Sequence, residues 1–484
     1  MTVQGNFRYV ALADEIQENI LNGQYRPGDK LPSLRQLHNR LGLSVSTIHQ
    51  AYIELEKRGR VEAREKSGFY VRALLKNPLP TPRKDSGTAR PSRVKINALA
   101  ETILTDLLAE NMLQLGAAVA SRELMPIKQL SRIMKSISSE DLARSIASYD
   151  PCIGNTELRT ALAKQMLGYA CPVVPDDIVT TNGCLEAVSL CLRAVAEPGD
   201  TILVESPVFH CFLQLIEDLN MYVLELPGCP DSGMDPDAFK AIVSTNKIKA
   251  CLLNTNFQNP LGSVMSVSNK EKVMKTAAEA GIPIIEDDIY GDIYFGSTRP
   301  STFKAMDTAG NVLYCASFSK TLAPGLRAGW TVPGKFKDKV IRLKLNTQLS
   351  CAALSHRVAA RFLETGAYDR HIRRLRNQVK TQASAMALAI ADHFPKDTCL
   401  TFPRGGMMLW LELNREIDTM DVFHRARARN VSILPGRLCS SSDRYSHCLR
   451  LNCGLQWRPE VEKGIALLGR LVREIYKEKG LPVS

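Results

Sequence analysis

Five short apolar runs punctuate the chain after about residue 98: DIVTTNG, DTILVESP, IKACLLNTN, IPIIEDDIY and NVLYCASFSK. Stretches of helical periodicity separate them. Each run is brief, rich in β-branched residues and closed by small or polar ones. A strand that reads as a continuous hydrophobic segment, not an alternating one, is buried on both faces. That restricts the segment to parallel strands with helical crossovers, whose loops gather at the C-terminal ends of the strands. Functional groups are therefore expected just after each run.

The chemistry-bearing residues do fall there. Thr181-Asn182-Gly183-Cys184 follows the first run and opens an amphipathic segment, LEAVSLCLRAVA. Backbone N–H groups at a helix start attract phosphate. In ASFSKTLAPGLRAGW, Ser317 and Arg327 bracket Lys320 and offer a hydroxyl and a guanidinium to the same anion. Asp287 ends an apolar run, where a carboxylate is costly unless a cation or protonated nitrogen pairs with it. Phe209, after VESPV, presents a flat face to an aromatic ring, with ordinary core packing as the competing account. Together these parts describe one cofactor. Gly183, Cys184, Ser317 and Arg327 suit its phosphate, Lys320 its aldehyde and Asp287 its ring nitrogen. Asn259 and Tyr290 suit its phenolic oxygen. That cofactor is pyridoxal 5'-phosphate, held as a Schiff base. Surrounding cations are expected to lower the Lys320 pKa and favour the neutral amine.

The chain has 484 residues, too many for one hydrophobic core. Its formal charge of +12 is unevenly spread. Residues 1–95 carry 17 Lys/Arg against 9 Asp/Glu, as expected of a module that binds a polyanion. Of 13 cysteines, none precedes Cys152 and none forms a C-x-x-C pair. That pattern suits reduced thiols, not a disulfide framework or a metal site. No apolar run is long enough to cross a bilayer, and the N-terminal MTVQGNFRYV lacks an apolar signal core. A cytoplasmic location without a membrane partner is expected.

Within the basic segment, Leu12, Ile16 and Ile20 recur every four residues on one helix face. Ser33 and Gln36 have capping-box spacing, so a helix is expected to begin there with Leu34, Leu37 and Leu41 inward. Gly42 breaks it. Ser44 caps a second helix with Ile48, Ala51, Tyr52 and Leu55 inward. Two short helices joined at a glycine form a helix-turn-helix. Ser44, Ser46, Thr47, His49 and Gln50 then face outward, suited to base edges and phosphates in a major groove. Arg35 is placed for a phosphate or base contact. RVEAREKSGFYVRA alternates around Lys66-Ser67-Gly68 as a hairpin wing. Residues 74–97 hold Pro78, Pro80, Pro82 and Pro91 among Ser, Gly, Lys and Arg, the composition of an extended basic linker.

The segment at about 7–72 resembles the winged-helix domain of GntR-type bacterial regulators. That family often has arginine after the serine that opens the recognition helix; here the position is Val45. Residues 98–484 resemble fold type I aminotransferases through six motifs in order. These are YDPCIGNTELRTALA, NPLG, EDDIYGDIYF, SFSKTLAPGLRAGW, FPRGGMMLWLEL and CLRLNCGL. The resemblance implies Lys320 as the Schiff-base lysine and Asp287 as partner of the pyridine nitrogen. It implies Asn259 and Tyr290 at the ring hydroxyl, and Gly183, Cys184, Ser317 and Arg327 at the phosphate. Phe209 would stack on the ring where tyrosine is common. Tyr149 would reach the phosphate of a neighbouring subunit, which implies a homodimer. Arg450 would grip a substrate carboxylate.

The whole chain resembles the MocR subfamily of GntR regulators. The expected layout is a winged helix at 1–73, a linker at 74–97 and an aminotransferase-like domain at 98–484. The last is expected to hold a mostly parallel large part (about 146–345) and a small α+β part (about 98–145 and 346–484). The resemblance implies a regulator that binds double-stranded DNA and senses pyridoxal phosphate, an amino acid or another amine. A working aminotransferase with an appended DNA-binding head is the alternative.

Overall fold

The computed structural model describes residues 8–21, 24–25, 29–58, 60–64, 67–71, 79–82, 90–107, 109 and 111–482. Lys66 and half of the linker, residues 74–78 and 83–89, lie outside the described residues.

The N-terminal unit comprises α1 (Arg8–Leu21), α2 (Leu34–Leu41), α3 (Val45–Lys57) and an antiparallel pair, β1 (Val61–Arg64) and β2 (Gly68–Val71). Ser33 starts α2 through a reciprocal cap. Its Oγ accepts from the Gln36 N–H at 3.3 Å, and Gln36 Oε1 accepts from the Ser33 N–H at 2.8 Å. Gly42 (φ 66) closes α2 in the left-handed region, which glycine enters without steric penalty. Ile48, Ala51, Tyr52 and Leu55 of α3 pack on Leu12, Ala13 and Ile16 of α1 and on Val61 and Val71 of the wing. Each large apolar side chain so buried stabilises by about 1.5–3 kcal/mol. This small core sets the outward face of α3.

The five apolar runs are five strands of one mixed sheet. Its order is 92–93, 222–229, 201–206, 250–253, 284–287, 312–317, 329–332 and 179–181, with 233–234 pairing off 222–229. The strands from 222–229 across to 312–317 are parallel. Gly329–Val332 runs antiparallel to both its neighbours. Alternate side chains serve opposite cores. Ile202 and Val204 face helices Cys184–Val195 and His210–Asp218, while Leu203 faces helices Pro236–Thr245 and Val267–Glu279.

Part of the expected linker is joined to this body. Ser92–Arg93 pairs antiparallel with Tyr222–Val223 at the sheet edge. Further back, Pro80 O accepts from the Leu400 N–H at 2.8 Å. An open strand edge presents unpaired peptide groups, and an extended Pro-containing chain supplies partners for them.

A second, antiparallel sheet has the order 399–400, 408–412, 448–452, 434–435. Helices Ala367–His393, Thr419–Arg427 and Pro459–Glu478 share its core. Among the described residues, no helix is long and apolar enough to cross a membrane.

Candidate functional site

The strand ends of the large sheet converge on a cavity of about 180 Å³. Cys184, Phe209, Asn259, Asp287, Tyr290, Lys320 and Arg327 line it, all named from the sequence. Larger clefts exist, such as one of about 270 Å³ beside Trp410 and Tyr445, but that lining holds no amine nucleophile.

One end of the cavity is an anion cup. Gly183 precedes helix Cys184–Val195 with φ 102. A Cβ there would lie 2.4 Å from Arg327 Nη2. Gly329 closes in from the other side, where a Cβ would lie 2.5 Å from the Gly183 carbonyl carbon. Only two glycines let backbone and guanidinium come this close. Arg327 donates from Nη2 to Asn182 O at 2.5 Å and from Nη1 to Ser319 Oγ at 3.5 Å. Ser317 does not line the cavity. It is buried, and its Oγ donates to Ser319 Oγ at 3.1 Å. Ser319, not the expected Ser317, holds the lining position. The S-x-S spacing around the strand end was the available signal.

Asp287 ends strand 284–287 and is 4% exposed. Its Oδ1 accepts from the Ile289 N–H at 3.0 Å and from Cys184 Sγ at 3.3 Å. Burial raises its carboxyl to about 6, and the Ile289 and Cys184 bonds oppose the rise. The group is therefore mainly ionised at neutral pH, as a partner for a protonated ring nitrogen must be. Burial pushes the Tyr290 phenol above its ordinary range, so it stays a donor.

Lys320 is half-buried, and its amine is lowered to about 8. Surrounding cations, expected from the sequence as the cause, are the smaller one. Burial is the larger cause, and Arg450 adds to it, while Cys211 and Asp287 pull the other way. Arg450 itself is 1% exposed. It donates from Nη1 to Asn259 Oδ1 at 2.8 Å and from Nη2 to Gly116 O at 2.7 Å. Arginine only donates, so the amide oxygen of Asn259 must face it. The Asn259 amide N–H₂ is then what that residue offers elsewhere. Arg450 Nε is buried without a hydrogen-bond partner among the described residues.

His210 was missed from the sequence. It follows Phe209, with ring centroids 4.8 Å apart, and is 3% exposed. Neither ring nitrogen has a partner among the described residues. Burial, then Arg450 and Lys320, lower it to about 3, so it stays neutral. Tyr149 stands apart from the others, at 81% exposure.

In the N-terminal unit, Arg35 is exposed at the start of α2, and Ser46, His49 and Gln50 are exposed on α3. Ser44 differs from the rest. Its Oγ accepts from the Thr47 N–H at 3.1 Å and contacts Ser46 Oγ at 2.8 Å and Thr47 Oγ1 at 2.7 Å. Thr47 is half-buried. Gly68 opens β2 with φ 102.

Fold and site together define an aminotransferase-like domain suited to pyridoxal phosphate, behind a winged helix. The aminotransferase class I and II family matches residues 112–462, and the gntR family of bacterial regulatory proteins matches residues 8–71. The chain belongs to these families, joined in the MocR architecture. It is 34% identical over 472 residues to the uncharacterized HTH-type transcriptional regulator YdcR of Escherichia coli, covering 96% of this chain and 99% of that one. It is 29% identical to aromatic-amino-acid aminotransferase 1 of Thermococcus litoralis, over 76% of this chain and 89% of that one. The structure of LysN, an α-aminoadipate aminotransferase from Thermus thermophilus complexed with N-(5'-phosphopyridoxyl)-L-leucine, matches with a TM-score of 0.73. Identity is 26%, over 80% of this chain and 97% of that one. The cavity residues fit pyridoxal phosphate. They supply an amine, a carboxylate, a phenol and an anion cup that a Cβ at 183 or 329 would fill.

Proposed function

We propose that this chain is a transcriptional regulator that binds double-stranded DNA through its winged helix. Its aminotransferase-like domain binds pyridoxal phosphate and senses that cofactor or an amino compound. One observation carries the reading: a single polypeptide joins a basic helix-turn-helix to a cavity in which Lys320, Asp287 and Arg327 meet. A catalyst alone needs no DNA-binding head.

Bound there, pyridoxal phosphate supplies an electrophilic aldehyde and an electron sink. The chain's own groups have separate tasks. The Lys320 amine, depressed by burial, is the nucleophile. Asp287 holds a proton on the ring nitrogen, and Asn259 and Tyr290 donate to the ring oxygen. Gly183, Cys184, Ser319 and Arg327 hold the phosphate, with Ser317 positioning Ser319. Arg450 takes the carboxylate of an amino ligand. Tyr149, exposed in one chain, completes the phosphate site of a second copy, so the working unit is a homodimer. Ligand occupancy then changes the spacing of two winged helices, which decides which pair of half-sites is gripped together.

The test is DNA binding of the full-length protein with and without pyridoxal phosphate, in wild type and Lys320→Ala. Affinity that falls steeply with salt, and shifts with cofactor only in wild type, supports the reading. Equal affinities in all four conditions overturn sensing through Lys320. A second reading, transamination, is favoured by the Arg450–Asn259 bond, which joins a carboxylate grip to the ring-facing amide. It requires amino acids to convert the absorbance of the bound cofactor with turnover, and an unresponsive panel rejects it.

A further inference from the structure

Val45 opens α3 and is 42% exposed. Its neighbours on the outward surface are Ser46, His49 and Gln50. Positions 45 and 49, and 46 and 50, each lie about one turn apart, so the four side chains form two adjacent rows. Ile48, Ala51, Tyr52 and Leu55 take the other side of α3 into the core. The Val45 isopropyl group therefore belongs to the reading face and not to the rim of the core.

The polar groups at this helix tip are already engaged with one another. Ser44 Oγ caps the Thr47 N–H and contacts the hydroxyls of Ser46 and Thr47. Beside the exposed hydroxyls of Ser44 and Ser46, what Val45 adds to the first turn of α3 is an apolar surface. In the major groove, one base edge matches such a surface, the C5-methyl group of thymine. Valine has no donor for guanine O6 and N7 and no charge for phosphate.

We propose that Val45 is a specificity-determining residue that reads a thymine C5-methyl group in each half-site. The inference rests on the DNA-binding reading above. The experiment uses the full-length protein loaded with pyridoxal phosphate. Binding sequences are selected from a randomised duplex pool, and each thymine of the selected site is replaced singly by deoxyuridine, which removes only the methyl group. The expected result is one thymine per half-site whose replacement weakens wild-type binding about fourfold, the value of one buried methyl. Val45→Ala is expected to abolish that sensitivity, and Val45→Arg to shift the preferred base there toward guanine. A wild-type protein indifferent to deoxyuridine at every position overturns the proposal while leaving DNA binding intact. Undiminished sensitivity in Val45→Ala overturns it as well. A pool that yields no selected sequence is a different failure, because it removes sequence-specific DNA binding itself.

Discussion

Arg450 Nη1 donates to Asn259 Oδ1 at 2.8 Å, joining strand Cys448–Asn452 of the small sheet to a loop of the large domain. The pair is buried, so each group depends on the other for its solvation. A hydrogen bond to a charged group contributes about 1.5–3 kcal/mol. Arg450→Lys keeps the charge but loses the planar two-pronged geometry. It is expected to weaken binding of amino-acid carboxylates at least tenfold, with a smaller effect on the cofactor. Absorbance titration of the loaded protein measures both.

The Lys320 amine, at about 8, predicts the pH dependence of cofactor uptake. The ammonium form is not nucleophilic. The uptake rate constant is expected to rise about tenfold per pH unit below 8 and to level off above it. Below about 6, Asp287 gains a proton and loses the pairing proposed for it with the ring nitrogen, so affinity is expected to fall further. His210, neutral down to about 3, adds nothing in this window. Stopped-flow absorbance from pH 5.5 to 9.5 reads the profile, and Lys320→Ala is expected to abolish the borohydride-fixed adduct.

Gly183→Ala places a Cβ 2.4 Å from Arg327 Nη2 at a φ of 102. Both the guanidinium and the backbone must then move, which opens the anion cup. Affinity for pyridoxal phosphate is expected to fall by one to two orders of magnitude, while affinity for the phosphate-free aldehyde pyridoxal changes little. Comparing the two ligands on one variant separates a cup defect from general loosening.

Ile146 is 75% exposed and Tyr149 81% exposed, and Leu142, one helical turn before Ile146, is 40% exposed. Apolar side chains exposed together in a patch mark an interface. Ile146→Asp is expected to shift the protein toward monomer in sedimentation velocity and to weaken cofactor binding along with it. A dimeric variant with unchanged affinity would refute the shared phosphate site.

Glu205 is fully buried in the parallel sheet, and burial alone lifts its carboxyl to about 8. Its Oε1 has no hydrogen-bond partner among the described residues. Unfolded, it titrates near 4.3. Between those values the folded protein keeps a proton that the unfolded chain has released. Its contribution is therefore fully present below about 4.3 and is lost as pH rises through about 8. Glu205→Gln removes the ionisation and is expected to raise Tm by several degrees relative to wild type at pH 8.5, with a much smaller difference at pH 5. Thermal unfolding at the two pH values checks the sign.

Much of this protein is local information. The five apolar runs declare their strands because burial on both faces demands unbroken hydrophobicity. Lys320, Asp287 and Asn259 declare themselves because parallel topology puts chemistry at strand ends. Ser33 with Gln36, Gly42 and Ser44 mark helix ends because caps act within four residues. Other features are contacts between distant segments. The antiparallel Gly329–Val332, the capture of Ser92–Arg93 at the sheet edge and the Arg450–Asn259 bond across 191 residues are pairings that chain spacing does not encode. Burial as the chief cause of the Lys320 shift, the unpartnered His210 and the exposure of Val45 depend on what surrounds each side chain in space. Solvation and Coulomb forces act through space, so only the folded arrangement decided them.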